Sequence, residues 1–425
     1  MKLFQKIDKR IIFGSLAIML AALFWSLDGI FIRPKFYDLP ATLVVFLEHL
    51  LGFIVLSPFI ILSWHKIKQL SWKSWSAIVW VSIFGGVIGT ITITKAFFAA
   101  IYGETTFATV ILLQKLQPFF ALIMAAIILK EKLSKRFYFW AVLAVIAGYV
   151  LAFGKSGLNI LEIDIWHHAA FYAFIAAFSF GSSTVFGKRI VNHLNFKSTA
   201  ALRFGITTLI VFVIVLFTGD IYKVNNLTTT HWNLLILIVF TSGAMAMFFY
   251  YMGLRRVPAS IATILELFWP FSAIILDYLI NKNVLNTVQI FAALILLICF
   301  YQIIGEGRLK GLTFKAKVVK GKGRGRKLGF PTANLDKYDF DISHGVYLVE
   351  TSYNEKKYKS LMHFGFIETF DEAPRLEIYI GNFKEDIYGK ELEVKILKRV
   401  RDIKKFENVE ELKEQIKKDL KLVEK

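Results

Sequence analysis

FATVILLQKLQPFFALIMAAIILKEKL, residues 107–133, and IATILELFWPFSAIILDYLINKNVL, residues 261–285, decide how most of the chain is read. The two stretches match. Pro118 falls on Pro270 and Lys130 on Lys282 at an offset of 152, and Ala108-Thr109 falls on Ala262-Thr263 at 154. Two residues are therefore lost between the pairs, and His49 falls on Arg203 at the same offset of 154. Each stretch holds an apolar run of the length a helix needs, about 20 residues, to cross a ~30 Å hydrocarbon core. Working outward, ten such runs lie near 11–32, 40–63, 74–98, 105–129, 136–153, 166–187, 198–218, 232–253, 259–280 and 284–304. They leave no polar faces to meet water, which argues against ten buried helices of a soluble protein. The first run is long and lacks a small-x-small cleavage site, so it reads as a span rather than a signal peptide.

Composition agrees. The 425 residues are 56% hydrophobic with 41 Phe and a mean hydropathy of +0.55, yet the net charge is +19. With 8 Pro and 1 Cys, disordered, collagen-like and disulfide-scaffold classes are excluded. The lone Cys299 cannot form an internal disulfide. Residues 1–310 carry 26 Lys+Arg against 12 Asp+Glu, and residues 311–425 carry 25 against 20. The chain therefore reads as a charge-poor membrane region and a charged soluble region, joined near Gly305–Gly311. Alternate loops of the first region hold 16 basic residues on one side (among them Lys66, Lys135, Lys188 and Arg255) and 5 on the other: Arg33, Lys35, Lys155, Lys223 and Lys282. The positive-inside rule puts the 16 in the cytoplasm, with both termini. The high charge is then mainly a topology signal, and no nucleic-acid partner is expected.

Five spans per half is an odd number, so the halves are expected to be inverted, as in secondary transporters that bind substrate near the midplane between repeats. Ionisable groups inside apolar runs cost about 2.5–3.5 kcal/mol each on insertion scales unless paired or solvated. Glu48, His49, Lys95, Lys115 and Glu266 are the candidates for a polar transport cavity, with Trp269 as a stacking platform beside Pro270. Arg203 and Asp277 fit structural pairing better. GYVLAFGKS (148–156) is not a phosphate loop, because Gly148 lies one residue too far from Gly154-Lys155-Ser156. On the repeat, the topology and the P-F-F-A-L-I-M…L-K-E-K-L stretch, residues 11–304 resemble the drug/metabolite transporter superfamily in its ten-helix EamA-type form. Asn283 departs from the pattern, standing where the first half has Glu131. The resemblance implies a carrier of small metabolites, a class that includes riboflavin carriers, without naming its substrate.

From Leu312 the pattern alternates. TFKAKVVK (313–320), GVYLVETSY (345–353), YKSLMHFGF (358–366), RLEIYIG (375–381) and LEVKILKRV (392–400) read as strands. NVEELKEQIKKDLKLVEK (408–425) reads as a helix with Asn408 as N-cap and Glu411 completing a capping box. A small antiparallel β-barrel closed by a C-terminal helix is expected. GKGRGRKLGFPTANL (321–335) is the informative stretch. Gly321, Gly323, Gly325 and Gly329 allow backbone amides close to an anion, Arg324, Arg326 and Lys327 add positive charge, and Thr332 and Asn334 offer hard oxygens suited to Mg²⁺.

With H-G-V-Y (344–347), L-E-I-Y-I (376–380), F-K-E-D-I-Y-G (383–389), V-R-D-I-K-K-F (400–406) and E-E-L-K-E-Q-I-K-K-D (410–419) in order, residues 312–422 closely resemble riboflavin kinase. The resemblance implies nucleotide binding by Gly321, Gly323, Arg324, Gly325, Arg326, Lys327, Gly329, Pro331, Thr332 and Asn334, and Mg²⁺-ATP held by Thr332 and Asn334. It makes Glu377 the general base and puts Arg401 and Phe406 in the loop over the flavin. HFGFIETF (363–370) departs from the family's Asn-Ile-Gly-x-x-Pro-Thr-Phe segment, with Glu368 in place of the proline, and the proline before Gly-Val-Tyr is also absent. No adenylyltransferase domain is present, so the implied product is FMN, not FAD.

Joined, the regions lead to the expectation of a multi-pass cell-membrane protein, 1–304 carrier and 312–425 kinase with a 305–311 linker. It would bring riboflavin inward and phosphorylate it with ATP on the cytoplasmic side. Two alternatives stay open at this point: an active kinase tethered to a carrier for another metabolite, and a non-catalytic flavin-sensing domain that gates the carrier. The lipid bilayer, riboflavin and ATP are the expected partners, and a homodimer is an assembly the sequence allows.

Overall fold

In a computed structural model, the residues described are 9–103, 107–131, 133–153, 168–281, 286–306, 313–321, 325, 329–336, 344–354, 356–367, 372–381, 383, 385–404, 406 and 408–423. The chain separates into two compact units, Met1–Gly307 and Arg308–Lys425.

The first unit is helical. Among the described residues, six helices are long and apolar enough to cross a membrane: Lys9–Phe36, Trp72–Ile101, Ala169–His193, Phe196–Thr218, Thr229–Leu254 and Thr287–Gly305. The remaining apolar runs of the sequence are shorter or interrupted. The run at 40–63 is cut at Ser57-Pro58 into Ala41–Leu56 and Pro58–Leu62. That at 105–129 is two helices, Phe107–Gln114 and Gln117–Ile128, and that at 259–280 is also two, Ala259–Leu265 and Phe268–Asn281. The run at 136–153 is the 19-residue helix Lys135–Phe153.

These interruptions have a physical cause. Proline lacks an N–H and its ring crowds the preceding turn, so Pro118 and Pro270 are tolerated only where a helix restarts. The two prolines correspond in the repeat, and the breaks at Lys115-Leu116 and Glu266-Leu267 fall within one residue of correspondence. Three further irregularities occur inside long helices: π-helical Asp28–Ile32, π-helical Val81–Ile88, and a break at Thr241–Gly243. Irregular backbone at membrane depth is tolerated where it is buried in protein or lines a cavity. Elsewhere the helices pack closely. A Cβ on Gly14 would meet the Arg256 Cβ at 2.7 Å, and one on Gly253 would meet the Gly14 carbonyl at 2.4 Å. Small residues at this crossing let the first helix and Ala244–Leu254 approach backbone to backbone.

The second unit is a closed antiparallel barrel. Its strands are β1 (Thr313–Val319), β2 (Ala333–Leu335), β3 (Gly345–Tyr353), β4 (Lys356–Ile367), β5 (Glu372–Ile380) and β6 (Glu391–Arg401), in the order β1-β2-β5-β4-β3-β6. Closure leaves no edge strand. Tyr347, Val349, Met362, Phe364, Leu376 and Ile378 fill the interior. Alternate residues face outward, where Val346, Leu348 and Leu361 pack with Leu420 and Ile416 of the C-terminal helix Val409–Leu420. Five strands were readable from alternation. The sixth, β2, is three residues inside the Pro-Thr-Ala-Asn motif, too short to alternate visibly. Asn408 caps the helix by accepting from the Glu411 amide at 2.9 Å. The Glu411 carboxylate accepts from the Asn408 side-chain amide at 3.4 Å rather than from its backbone, so only half of the expected capping box forms.

Candidate functional site

Four of the irregular stretches (Asp28–Ile32, the breaks at Lys115-Leu116 and Glu266-Leu267, and Thr241–Gly243) contribute to the wall of one cavity of about 170 Å³. Its lining includes Asp28, Arg33, Glu48, His49, Lys115, Gln117, Thr184, Arg203, Ser242, Tyr250, Glu266 and Trp269. Glu266 ends the helix Ala259–Leu265 at the second repeat's break. Its carboxylate accepts hydrogen bonds from the Gln117 amide, from the Tyr250 hydroxyl at 2.8 Å and from Thr184 at 3.3 Å. Lys115 stands at the first repeat's break, its ammonium 4.7 Å from the centre of the Trp269 ring, a cation–π distance. The two breaks thus bring an acid and a base from opposite halves to the same space.

On another wall, Arg33 donates through Nε and Nη2 to Asp28 Oδ2 at 2.8 and 2.7 Å. It also reaches Glu48 Oε2 at 2.9 Å and Thr94 Oγ1 at 3.2 Å. Arg33, read in the sequence as a loop charge, is 5% exposed. The π-helical turn at Asp28–Ile32 carries it inward, where two carboxylates offset the cost of desolvating a guanidinium. His49 contacts the Val45 carbonyl through Nδ1 at 2.9 Å and packs on Phe204. Arg203 donates to the Gly85 carbonyl at 2.9 Å, so its structural pairing and its place on the cavity wall coincide. Lys95 does not line the cavity. It is exposed, with its ammonium 5.4 Å from the Tyr172 ring centre, because its helix turns it away from the breaks. The Asp277 side chain lies outside the described residues. Glu131 proves structural: it accepts from the backbone amides of Ala259 and Ser260 at 2.8 and 3.1 Å, capping a helix of the other repeat.

Among the lining residues, three carboxylates (Asp28, Glu48, Glu266) face three cations (Arg33, Lys115, Arg203), so fully ionised the wall is balanced. Ser183 Oγ and Thr263 Oγ1 are buried without a hydrogen-bond partner among the described residues, and both residues line this cavity. Unpaired buried polar atoms are costly, which suits a wall that meets a polar solute or water. Sequence reasoning missed Asp28, Gln117, Thr184 and Tyr250. Asp28 was a carboxylate inside an apolar run and could have been found. Gln117 precedes the repeat's proline, whereas Thr184 and Tyr250 carry no signal at all.

In the barrel, the ladder brings the signature residues together. Asn334 on β2 lies opposite Glu377 on β5, and Thr332 donates to Glu377 Oε2 at 3.1 Å. The glycines are needed for close approach. A Cβ on Gly321 would meet the Asn334 side-chain amide at 2.1 Å, and one on Gly325 would meet Thr332 Oγ1 at 2.9 Å. Gly329 adopts φ +89°, which favours glycine, and the Phe330 amide donates to the Gly325 carbonyl at 2.8 Å beside Pro331. Thr332 Oγ1 and the Asn334 amide oxygen are hard oxygens of the kind that suits Mg²⁺, and they stand beside the Glu377 carboxylate. Gly323, Arg324, Arg326 and Lys327 lie outside the described residues, as does Glu368.

Arg401 stands 5.9 Å from the Phe406 ring centre and donates to Asp419 at 2.7 Å, tying the end of β6 to the C-terminal helix. His363, on β4 where the resembled family has Asn, is opposite Glu377 in the ladder. Burial, and then the Arg401 charge, lower its pKa from the ordinary 6.5 to about 4, so its imidazole is neutral near pH 7.

Comparisons with known proteins align with both units. The EamA-like transporter family matches residues 12–153 and 167–304, and the family described as Riboflavin kinase matches residues 310–425. The chain is similar to the riboflavin transporter ImpX of Fusobacterium nucleatum, 40% identical over 293 residues, 68% of this chain and 97% of that protein. It is similar to the RNA-binding riboflavin kinase RibR of Bacillus subtilis, 42% identical over 110 residues, 25% of this chain; the chain spans only 48% of that protein's length. A solved crystal structure described only as a protein shares the fold of the first unit. Its TM-score is 0.52 at 15% identity, covering 68% of this chain and 95% of that one.

Proposed function

We propose that this chain, which belongs to the EamA-like transporter family, carries riboflavin inward through its helical unit and converts it to FMN with ATP in its barrel unit. The carrying observation is the pairing within one chain. A full-length match to a riboflavin transporter is followed by a barrel in which Thr332, Asn334 and Glu377 meet. The charge-balanced cavity with unpaired hydroxyls and an indole wall supports an uncharged, polar, aromatic substrate, a description that riboflavin fits. The twofold family match to 12–153 and 167–304 supports ten spans as an inverted repeat, within a 1–304 carrier, a 305–311 linker and a 312–425 kinase. With Arg33 in the interior rather than in a loop, the basic asymmetry of the loops supports a topology with both termini, and the kinase, in the cytoplasm.

For the kinase, Glu377 takes the proton of the terminal ribityl hydroxyl as that oxygen bonds to the γ-phosphorus and the bond to ADP breaks. Thr332 holds one carboxylate oxygen of Glu377, and the glycines keep the nucleotide loop against Thr332 and Asn334. Thr332 and Asn334 would hold Mg²⁺, which when bound neutralises charge on the nucleotide's phosphates. Arg401 over Phe406 forms a planar platform for the isoalloxazine ring. Phosphorylation traps the product, because a doubly charged FMN does not fit a carrier for a neutral solute. Import then proceeds as long as ATP is supplied.

Proteoliposomes holding the full chain, with ATP and Mg²⁺ inside and labelled riboflavin outside, test this. Net accumulation as internal FMN is expected, and Glu377→Gln should reduce it to equilibrative riboflavin exchange. Absence of riboflavin exchange in both proteins would remove the transport half, and absence of FMN in the unsubstituted chain would remove the kinase half.

A further inference from the structure

The sheet register draws a line across the outer face of the barrel. From β6 to β1 the directly paired residues are Arg401, Val346, His363, Glu377, Asn334 and Val319. Residues paired directly across an antiparallel ladder point to the same face, with Cβ atoms about 4.5–5.5 Å apart. That face is the outer one, since Val346 packs with Leu420 of the C-terminal helix, while the neighbours Met362, Phe364 and Ile378 fill the interior. His363 therefore stands beside Glu377, on the side away from Asn334. Glu377 is engaged by Thr332, and Arg401 by Asp419 and the Asp402 carbonyl. His363 is different. Among the described residues neither ring nitrogen has a hydrogen-bond partner, and Nδ1 is fully buried in that state.

We infer that His363 is a substrate-binding residue, whose imidazole hydrogen-bonds a ribityl hydroxyl next to the one that Glu377 deprotonates. This inference rests on the kinase reading of the barrel. Three observations support it. The Glu377 carboxylate defines where the reacting end of the polyol lies, and a neighbouring hydroxyl must then fall within one side chain of it. His363 occupies that adjacent position. Its ring has an unused donor and acceptor, the pair that a hydroxyl, both donor and acceptor, can satisfy. Beside Glu377 and Arg401, a neutral hydrogen-bonding group binds a polyol without altering the charge balance of the proton acceptor.

The test is a substrate–enzyme cycle on the full chain in detergent. FMN-type product is measured with riboflavin and with analogues lacking one non-terminal ribityl hydroxyl at a time, for the unsubstituted chain, His363→Leu and His363→Gln. In the unsubstituted chain one analogue should lose about tenfold in kcat/KM, the scale of one hydrogen bond. In His363→Leu that analogue and riboflavin should be equal, with the KM for ATP unchanged; a merely structural residue would move the ATP KM and leave the analogue ratio intact. His363→Gln, which keeps a donor and an acceptor, should retain part of the discrimination and serves if the leucine variant does not fold. Equal analogue penalties in the unsubstituted and substituted chains overturn the assignment while leaving the kinase reading standing. No product from riboflavin in the unsubstituted chain overturns the kinase reading, and the assignment with it.

Discussion

The helical unit and the barrel assemble polar sites by opposite means. In the helical unit, function gathers where regular structure fails: two broken helices, a π-helical turn and a third break contribute to the wall of one cavity. A regular apolar helix has satisfied its backbone and has nothing polar to offer, so a polar site must be made from interruptions. In the barrel, function gathers where regularity holds. An unbroken register of paired residues carries Asn334, Glu377 and His363 to neighbouring positions on one face. The comparison teaches that an irregularity in the first unit and a register position in the second are the places to probe.

The largest separation between the units should come from Glu377→Gln. FMN formation is expected to fall about 10²–10⁴-fold, the usual contribution of a positioned base, while riboflavin exchange across the bilayer stays intact. A parallel fall in exchange would break the division of labour. Next, Arg33→Ala leaves Asp28 and Glu48 buried without their shared cation, a loss of about 3–5 kcal/mol. Thermal unfolding of the helical unit should shift sharply, and kinase activity in detergent should not. Glu266→Gln keeps the shape of the side chain but removes a charge-assisted acceptor for three donors. Riboflavin uptake is expected to drop about 10–100-fold with FMN formation unaffected.

Gly321→Val puts side-chain atoms into the Asn334 amide and should raise the KM for ATP about tenfold, with the KM for riboflavin little changed. The smallest effect is a pH dependence. The folded barrel keeps His363 neutral down to about 4, whereas the unfolded chain protonates it near 6.5. Between those values the unfolded state holds more protons, so barrel stability should fall as pH drops from about 6.5 to about 4. Inactivation midpoints of the kinase over that range should show the slope, and His363→Asn should flatten it.

Much of this was legible from residues alone. Apolar runs, a repeat centred on Pro118 and Pro270, and the Gly321–Leu335 stretch identified a carrier-like bundle and a nucleotide-binding barrel. Glu48, His49, Lys115, Glu266 and Trp269 stood out because charge and indole are rare against an apolar background, and all five line the cavity. Lys95 stood out for the same reason and does not, because rarity reports the cost of burying a group and not the direction in which its helix turns it. Arg33 failed in the other sense. At the end of an apolar run it resembled any loop cation, and only the π-helical turn and the two carboxylates of Asp28 and Glu48 bring it inside.

Local pattern is decisive wherever the free energy is local. Transfer of an apolar run into lipid, alternation along a strand, and the backbone freedom of Gly321 and Gly329 are properties of a few consecutive residues, and the chain states them outright. The meeting of Gln117 with Glu266 and of Lys115 with Trp269, and the seat of His363 beside Glu377, belong to the packed molecule. They join residues far apart in the chain, and which partners meet depends on how whole helices cross and how strands register, terms that no local window contains.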